Sequence, residues 1–203
     1  EHFNDSTVMI IHWNNLAEFY RANEKYQMAL FAINRGSKYY KKNAKGFPAL
    51  SPLMLKISIF NETNQLDSAA RYLPIAEEAA IFYKGSQMLA KVYNEWGNYY
   101  ERKKDFANAL QNYLKTFDIR KSSNDKAEFP NAYANIARIY LKLNQTAKAI
   151  TIAEEGIAFL QKNFTADYQT ELNNVLADAY EKEGNFKQAH KNLKHAFDVY
   201  KDK

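Results

Sequence analysis

Histidine is the side chain best placed for general acid–base work or metal ligation near neutral pH. The chain has four: His2, His12, His190 and His195. No two stand four apart, the spacing that stacks imidazoles on one helical face, so no metal site and no cofactor are predicted. Carboxylates occur in adjacent pairs such as Glu77-Glu78 and Glu154-Glu155. Adjacent helical positions do not face each other, so these pairs cannot share a proton or flank a scissile bond. The absence of cysteine removes thiol nucleophiles, disulfides, cysteine-held zinc and iron–sulfur clusters. There is no Gly-x-Ser-x-Gly, phosphate loop or dinucleotide fingerprint, and the six glycines stand apart. No catalytic residue is assigned, and the chain reads as a non-enzyme.

The composition points to the elements instead. Among 203 residues, 46% are hydrophobic and 25% charged, with only six glycines and four prolines. So few chain-breaking residues argue against a loop-rich sandwich, a nucleotide-binding α/β enzyme or a disordered linker, and for an all-helical chain. No stretch approaches the roughly 18 consecutive apolar residues of a membrane span. The net charge of +5 is spread along the length apart from a local run at Arg35, Lys38, Lys41, Lys42 and Lys45. Direct nucleic-acid binding is therefore not predicted. Asn-x-Ser/Thr triplets at Asn4, Asn61, Asn144 and Asn163 reflect the abundance of asparagine. The sequence begins at Glu1, not Met, and reads as a domain of a longer chain, in which any leader or membrane anchor would lie outside these residues.

A repeat organises these elements. Ala29, Ala69, Ala109, Ala149 and Ala189 lie 40 residues apart, and nine before each stands an aromatic: Tyr20, Phe60, Tyr100, Tyr140 and Tyr180. Twelve before each alanine come Ala17, Ile57, Gly97, Ala137 and Ala177; three before it come Tyr26, Leu66, Phe106, Thr146 and Phe186. Apolar residues recur at i, i+3, i+4 and i+7, as in Trp13, Leu16, Ala17, Tyr20 and in Tyr93, Trp96, Gly97, Tyr100. Each unit therefore holds two helices. Polar turns separate them at Ala22-Asn23-Glu24, Thr63-Asn64-Gln65, Lys103-Lys104-Asp105, Leu143-Asn144-Gln145 and Glu183-Gly184-Asn185.

These columns resemble the tetratricopeptide repeat, including its last small position at Gly36, Ala76, Thr116, Gly156 and Ala196. The period is six longer than the usual 34, which predicts longer helices or longer loops between units. The resemblance implies an all-α, right-handed α-solenoid of about five two-helix repeats, at roughly 10–49, 50–89, 90–129, 130–169 and 170–203, forming one domain over 1–203. Lys56, Ile57 and Pro74 depart from the pattern in the second repeat, and Pro74 predicts a kink and a candidate hinge. Removing a buried aromatic such as Tyr140 is expected to cost roughly 3–5 kcal/mol.

In this family the first helix of each repeat lines a concave groove. Carried onto this sequence, that face holds Asn14, Glu18 and Arg21; Met54, Ser58 and Asn61; Asn94, Asn98 and Glu101; Ala134, Arg138 and Leu141; and Asn174, Asp178 and Glu181. The binding residues assigned on this basis are Asn14, Glu18, Arg21, Asn94, Asn98, Glu101, Arg138, Asn174 and Asp178. Their partner is a protein or peptide. Asn94 stands where carboxylate-clamping members carry lysine, so capture of a C-terminal peptide is not predicted. The Ala189–Asp202 end and the segment Ile119–Lys126 resemble exported repeat arrays of Bacteroidetes that precede a membrane helix and a histidine kinase or helix-turn-helix regulator. That implies an extracytoplasmic, periplasmic sensor domain, reaching the membrane only through flanking segments. A cytoplasmic scaffold bridging two proteins is the alternative. The final helix predicts an apolar side that a homodimer could cover.

Overall fold

The computed structural model describes the backbone of residues 2–40, 49–123, 129–163 and 169–201, and side chains within 8–40, 49–123, 129–162 and 169–198. Lys41, Lys42 and Lys45 of the basic run, the side chains of Asn4 and Asn163, and residues 124–126 of the linker resemblance lie outside these. Ten α-helices are present among the described residues: α1 His2–Ala22, α2 Tyr26–Gly36, α3 Leu50–Glu62, α4 Leu66–Phe82, α5 Ser86–Arg102, α6 Phe106–Ser122, α7 Phe129–Lys142, α8 Thr146–Asn163, α9 Thr170–Lys182 and α10 Phe186–Lys201. A single turn of 3-10 helix, Ser37–Tyr39, follows α2. The helices group into two compact units, Glu1–Lys103 and Lys104–Lys203.

The 40-residue period is written into the backbone. Glu24, Asn64, Lys104, Asn144 and Gly184 all take positive φ, between 56° and 73°. At four of these turns the hydrogen bonds of a Schellman cap are on view. Lys25, Gln65, Gln145 and Asn185 donate their N–H to the carbonyls of Tyr20, Phe60, Tyr140 and Tyr180 at 2.8–2.9 Å, and each positive-φ residue donates to the carbonyl three before it. The aromatic column thus marks the residue whose carbonyl closes the first helix. The same residues 25, 65, 145 and 185, with Asp105, open the second helix, their carbonyls accepting from the repeat alanine at 3.0–3.1 Å. Asp105 adds a side-chain cap to the Asn108 N–H at 3.2 Å.

Packing explains the residue types. Ala29, Ala69, Ala109 and Ala149 are completely buried, and Ala189 nearly so. The small column at 17, 57, 97, 137 and 177 is buried as well. The two sit together in the cores, Ala17 with Ala29 and Ile57 with Ala69, where the helices of a pair cross. A β-carbon on Gly36 would stand 2.8 Å from Trp13 Cβ, and one on Gly156 would stand 2.9 Å from Tyr133 Cβ and Leu172 Cδ1. Only glycine fits at these crossings.

In the first unit α1 packs on α2, α3 on α4 and α4 on α5, while the first helices α1, α3 and α5 also touch in succession. The second unit repeats this layering, with α7 on α8, α8 on α9, α9 on α10, and α7 against α9.

Both ways of lengthening the repeat occur. The junction between α4 and α5 is only Tyr83-Lys84-Gly85 after a 17-residue helix, whereas α6 and α7 are separated by six residues. Pro74 lies inside α4 without interrupting it, on an exposed position. The aromatic column is less buried than the sequence suggests: Phe60 alone is buried, and Tyr20, Tyr100, Tyr140 and Tyr180 are half-buried. Tyr140 lies at the end of its helix with one ring face turned to Lys148, whose Nζ stands 5.6 Å from the ring centroid.

Candidate functional site

The first helices of the first unit carry a linked set of polar side chains. Arg21 on α1 donates from Nε to Glu18 at 3.1 Å and from Nη1 to Glu62 on α3 at 2.6 Å. Ser58 donates to the same Glu62 oxygen at 3.2 Å. One turn's width away on α3, the Asn61 amide donates to both the backbone carbonyl of Glu95, at 3.0 Å, and its carboxylate, at 2.7 Å. Asn98 adds a bond to that carboxylate at 3.2 Å. Helices α1, α3 and α5 are thereby tied by charged and amide groups along one face.

Helical spacing places these groups. Arg21 and Glu18 lie three apart on α1, as do Asn98 and Glu95 on α5, while Ser58 and Glu62 lie four apart on α3. Glu95 is 9% exposed, and burial pushes its carboxyl pKa up, against the bonds from Asn61, Asn98 and Ser58, which favour the charged form. Burial pulls the Arg21 guanidinium down, but the bond to Glu18 and the carboxylates of Glu62 and Glu18 outweigh it, so it stays above its ordinary value. Asn14, two turns before Arg21 on α1, is tied to the Tyr40 hydroxyl at 2.5 Å.

In the second unit Arg138 on α7 donates to Glu171 on α9 at 2.5 Å and to Asn135 at 2.7 Å. Lys182 on α9 reaches the Leu141 carbonyl at 3.1 Å. Asn174, Asp178 and Glu181 are exposed on α9. Among the described residues no cluster of three His, Cys, Asp or Glu is placed to hold a metal ion.

The residues assigned from the sequence fall into two environments. Glu18, Arg21, Asn94, Asn98, Glu101, Arg138, Asn174 and Asp178 are half-buried or exposed, as is Asn14. Met54, Asn61, Ala134 and Leu141, which share the same helical positions in α3 and α7, are buried core residues instead. Sequence reasoning did not assign Glu62, Glu95 or Glu171, the acceptors that hold the assigned donors. Their signal was present as spacing: Glu62 lies four after Ser58, and Glu95 three before Asn98.

Residues 88–162 and 170–203 match models of the tetratricopeptide repeat. No functionally curated protein matches the chain. Similar solved structures include a putative kinesin light chain from Podospora anserina with nearly identical tetratricopeptide-like repeats, at 15% identity and TM-score 0.70 over 94% of each chain. Aspartyl phosphate phosphatase F from Bacillus subtilis is 18% identical with TM-score 0.74, over 94% of this chain and 59% of that one. A signal-transduction ATPase with a tetratricopeptide repeat sensor, from Pyrococcus horikoshii, is 17% identical with TM-score 0.79, over 93% of this chain and 29% of that one.

Proposed function

The chain is a tetratricopeptide repeat protein over residues 88–162 and 170–203, and on that premise we propose that it is the sensory ectodomain of a bacterial signal-transduction protein, binding a protein or peptide partner along its first helices. The interaction role belongs to the repeat class: stacked helix pairs of this kind present extended binding surfaces. The observation that carries the reading is the polar chain from Glu18 through Arg21, Glu62 and Ser58, with Asn61, Glu95 and Asn98 beside it. Charged and amide groups already fixed in place lose little side-chain entropy when a partner docks. A ligand that contacts two adjacent first helices has differential affinity for their arrangements, which is what a sensor requires.

The membrane-linked, extracytoplasmic setting rests on the likeness of residues 189–202 and 119–126 to exported arrays. A tetratricopeptide repeat sensor also forms part of the similar Pyrococcus horikoshii ATPase. Protease accessibility of the intact gene product in spheroplasts tests it. Digestion of residues 1–203 from outside, with the output domain protected, is the expected result. Protection of residues 1–203 until lysis would discard the ectodomain and leave a cytoplasmic scaffold that bridges protein partners.

A further inference from the structure

The second unit holds a pocket of about 310 Å³ between α8, α9 and α10, at the lower end of the range of small-molecule sites. Its position is defined by the repeat. Forty residues earlier the equivalent groove is filled by rings: Phe117 meets Phe129 at 5.3 Å and Tyr133 at 5.0 Å, and Phe159 closes on Phe129 at 5.0 Å. The counterparts of Phe117, Phe129 and Tyr133 are Ile157, Gln169 and Asn173, all lining the pocket. Where one repeat stacks aromatics, the next opens a cavity edged with amides.

The polar groups of the pocket are set for hydroxyls. Asn173 and Asn192 each donate Nδ2–H to the carbonyl four residues earlier, Gln169 and Gln188, at 2.9 Å. Each bond commits one of the two amide hydrogens, which leaves the second N–H as a donor and the carboxamide oxygen as an acceptor. The side chains of Gln161, Gln169 and Gln188 add groups that both donate and accept. Glu154 receives the Tyr180 hydroxyl on Oε1 at 2.9 Å, which holds that carboxylate at the wall. Lys191 and His195 also line the pocket, so its ionisable groups are of both signs. Ile157, Ala158 and Leu176 supply apolar surface beside the Tyr180 ring.

We propose that this pocket binds a neutral sugar ring, its C–H face on Tyr180 and the apolar residues and its hydroxyls on the Asn and Gln side chains. A phosphorylated or carboxylated ligand would set its anion against Glu154 as well as beside Lys191 and His195. A peptide anchor would call for a deep apolar or singly charged pocket, which this is not. The inference does not depend on where in the cell the domain sits.

The test is an amide-shift NMR titration of the chain with glucose, galactose, N-acetylglucosamine and trehalose, with the tripeptide Ala-Asn-Ala as comparison. At least one sugar is expected to give saturable shifts confined to α8, α9 and α10. The double variant Ile157→Phe/Asn173→Tyr, which restores two of the three rings of the preceding repeat, is expected to melt at or above the wild-type temperature and to bind at least tenfold more weakly. Asn192→Ala, which leaves the apolar floor intact, is expected to weaken binding as well. Absence of saturation by all four sugars overturns the proposal. So does equal binding by the folded double variant, or saturation by the tripeptide alone.

Discussion

At the residue scale the buried carboxyl of Glu95 makes the sharpest prediction. Its folded-state pKa is raised, chiefly by burial. The folded state therefore holds this proton more tightly than the unfolded state, and its contribution to stability is full at acid pH and lost as pH rises through the folded pKa. Glu95→Gln keeps a carbonyl acceptor for Asn61 and Asn98 and removes the charge. Urea midpoints taken from about pH 4 to pH 7 are expected to fall more steeply for the wild type than for the variant; parallel curves would refute the assignment. The aromatic column gives a second contrast. Phe60, 7% exposed, is expected to cost roughly 3–5 kcal/mol on truncation to alanine. Tyr140, half-buried, is expected to cost about half that. The sequence showed that both positions carry rings but not how deeply each sits. Burial there depends on the ring's neighbours on other helices, which a single column does not encode. Glu62 and Glu95 were harder still to see, because a carboxylate reads as a solvated charge until the helix that covers it is placed.

At the scale of elements the sequence was far more legible. The five turns named from polar triplets each hold one of the six positive-φ residues among those described, the sixth, Lys84, lying at the junction of α4 and α5, because Schellman geometry needs one left-handed residue directly before the next helix opens. Yet the residue types there are Glu, Asn, Lys, Asn and Gly, so it is the period and not the composition that reveals the turn. Gly184, at φ 73°, occupies this conformation without strain. Gly184→Ala is expected to lower stability by about 1–2 kcal/mol, and Glu24→Gly, the reverse exchange at an equivalent turn, to cost little or nothing; equilibrium denaturation of both variants checks the pair. Helix crossings set a different limit. Gly156→Ala places a β-carbon 2.9 Å from Tyr133 Cβ, a contact that no rotamer change of Tyr133 relieves. A loss of about 1–3 kcal/mol is expected, and a neutral result would mean that α7 and α8 can move apart. Pro74 removes one N–H donor from α4, yet the helix runs on from Leu66 to Phe82 with the ring at an exposed position.

At the scale of the whole molecule, what distinguishes the repeats is the partner each one has, and residues of one column show it directly. Leu73 and Leu193 stand 120 residues apart in the same column. Leu73 is fully buried, whereas Leu193 is 51% exposed, and on the same helix Phe186 is 69% and Phe197 59% exposed. The residue type is unchanged, so the sequence alone gives both leucines the same standing; only the neighbouring helix separates them. In a stacked array, stability is close to a sum of repeat and nearest-neighbour terms, and a helix covered on one side lacks one of them. Leu73→Ala is therefore expected to cost about 2–5 kcal/mol, while Leu193→Ala is expected to stay within about 0.5 kcal/mol. Hydrogen exchange should follow the same order, with the amides of α10 exchanging well ahead of those of α3 and α4, because opening a one-sided helix exposes less apolar surface. Protection of α10 equal to that of α4 would mean that in solution the apolar side of α10 is covered, and a concentration series would then tell a second copy of the chain from a contact within it.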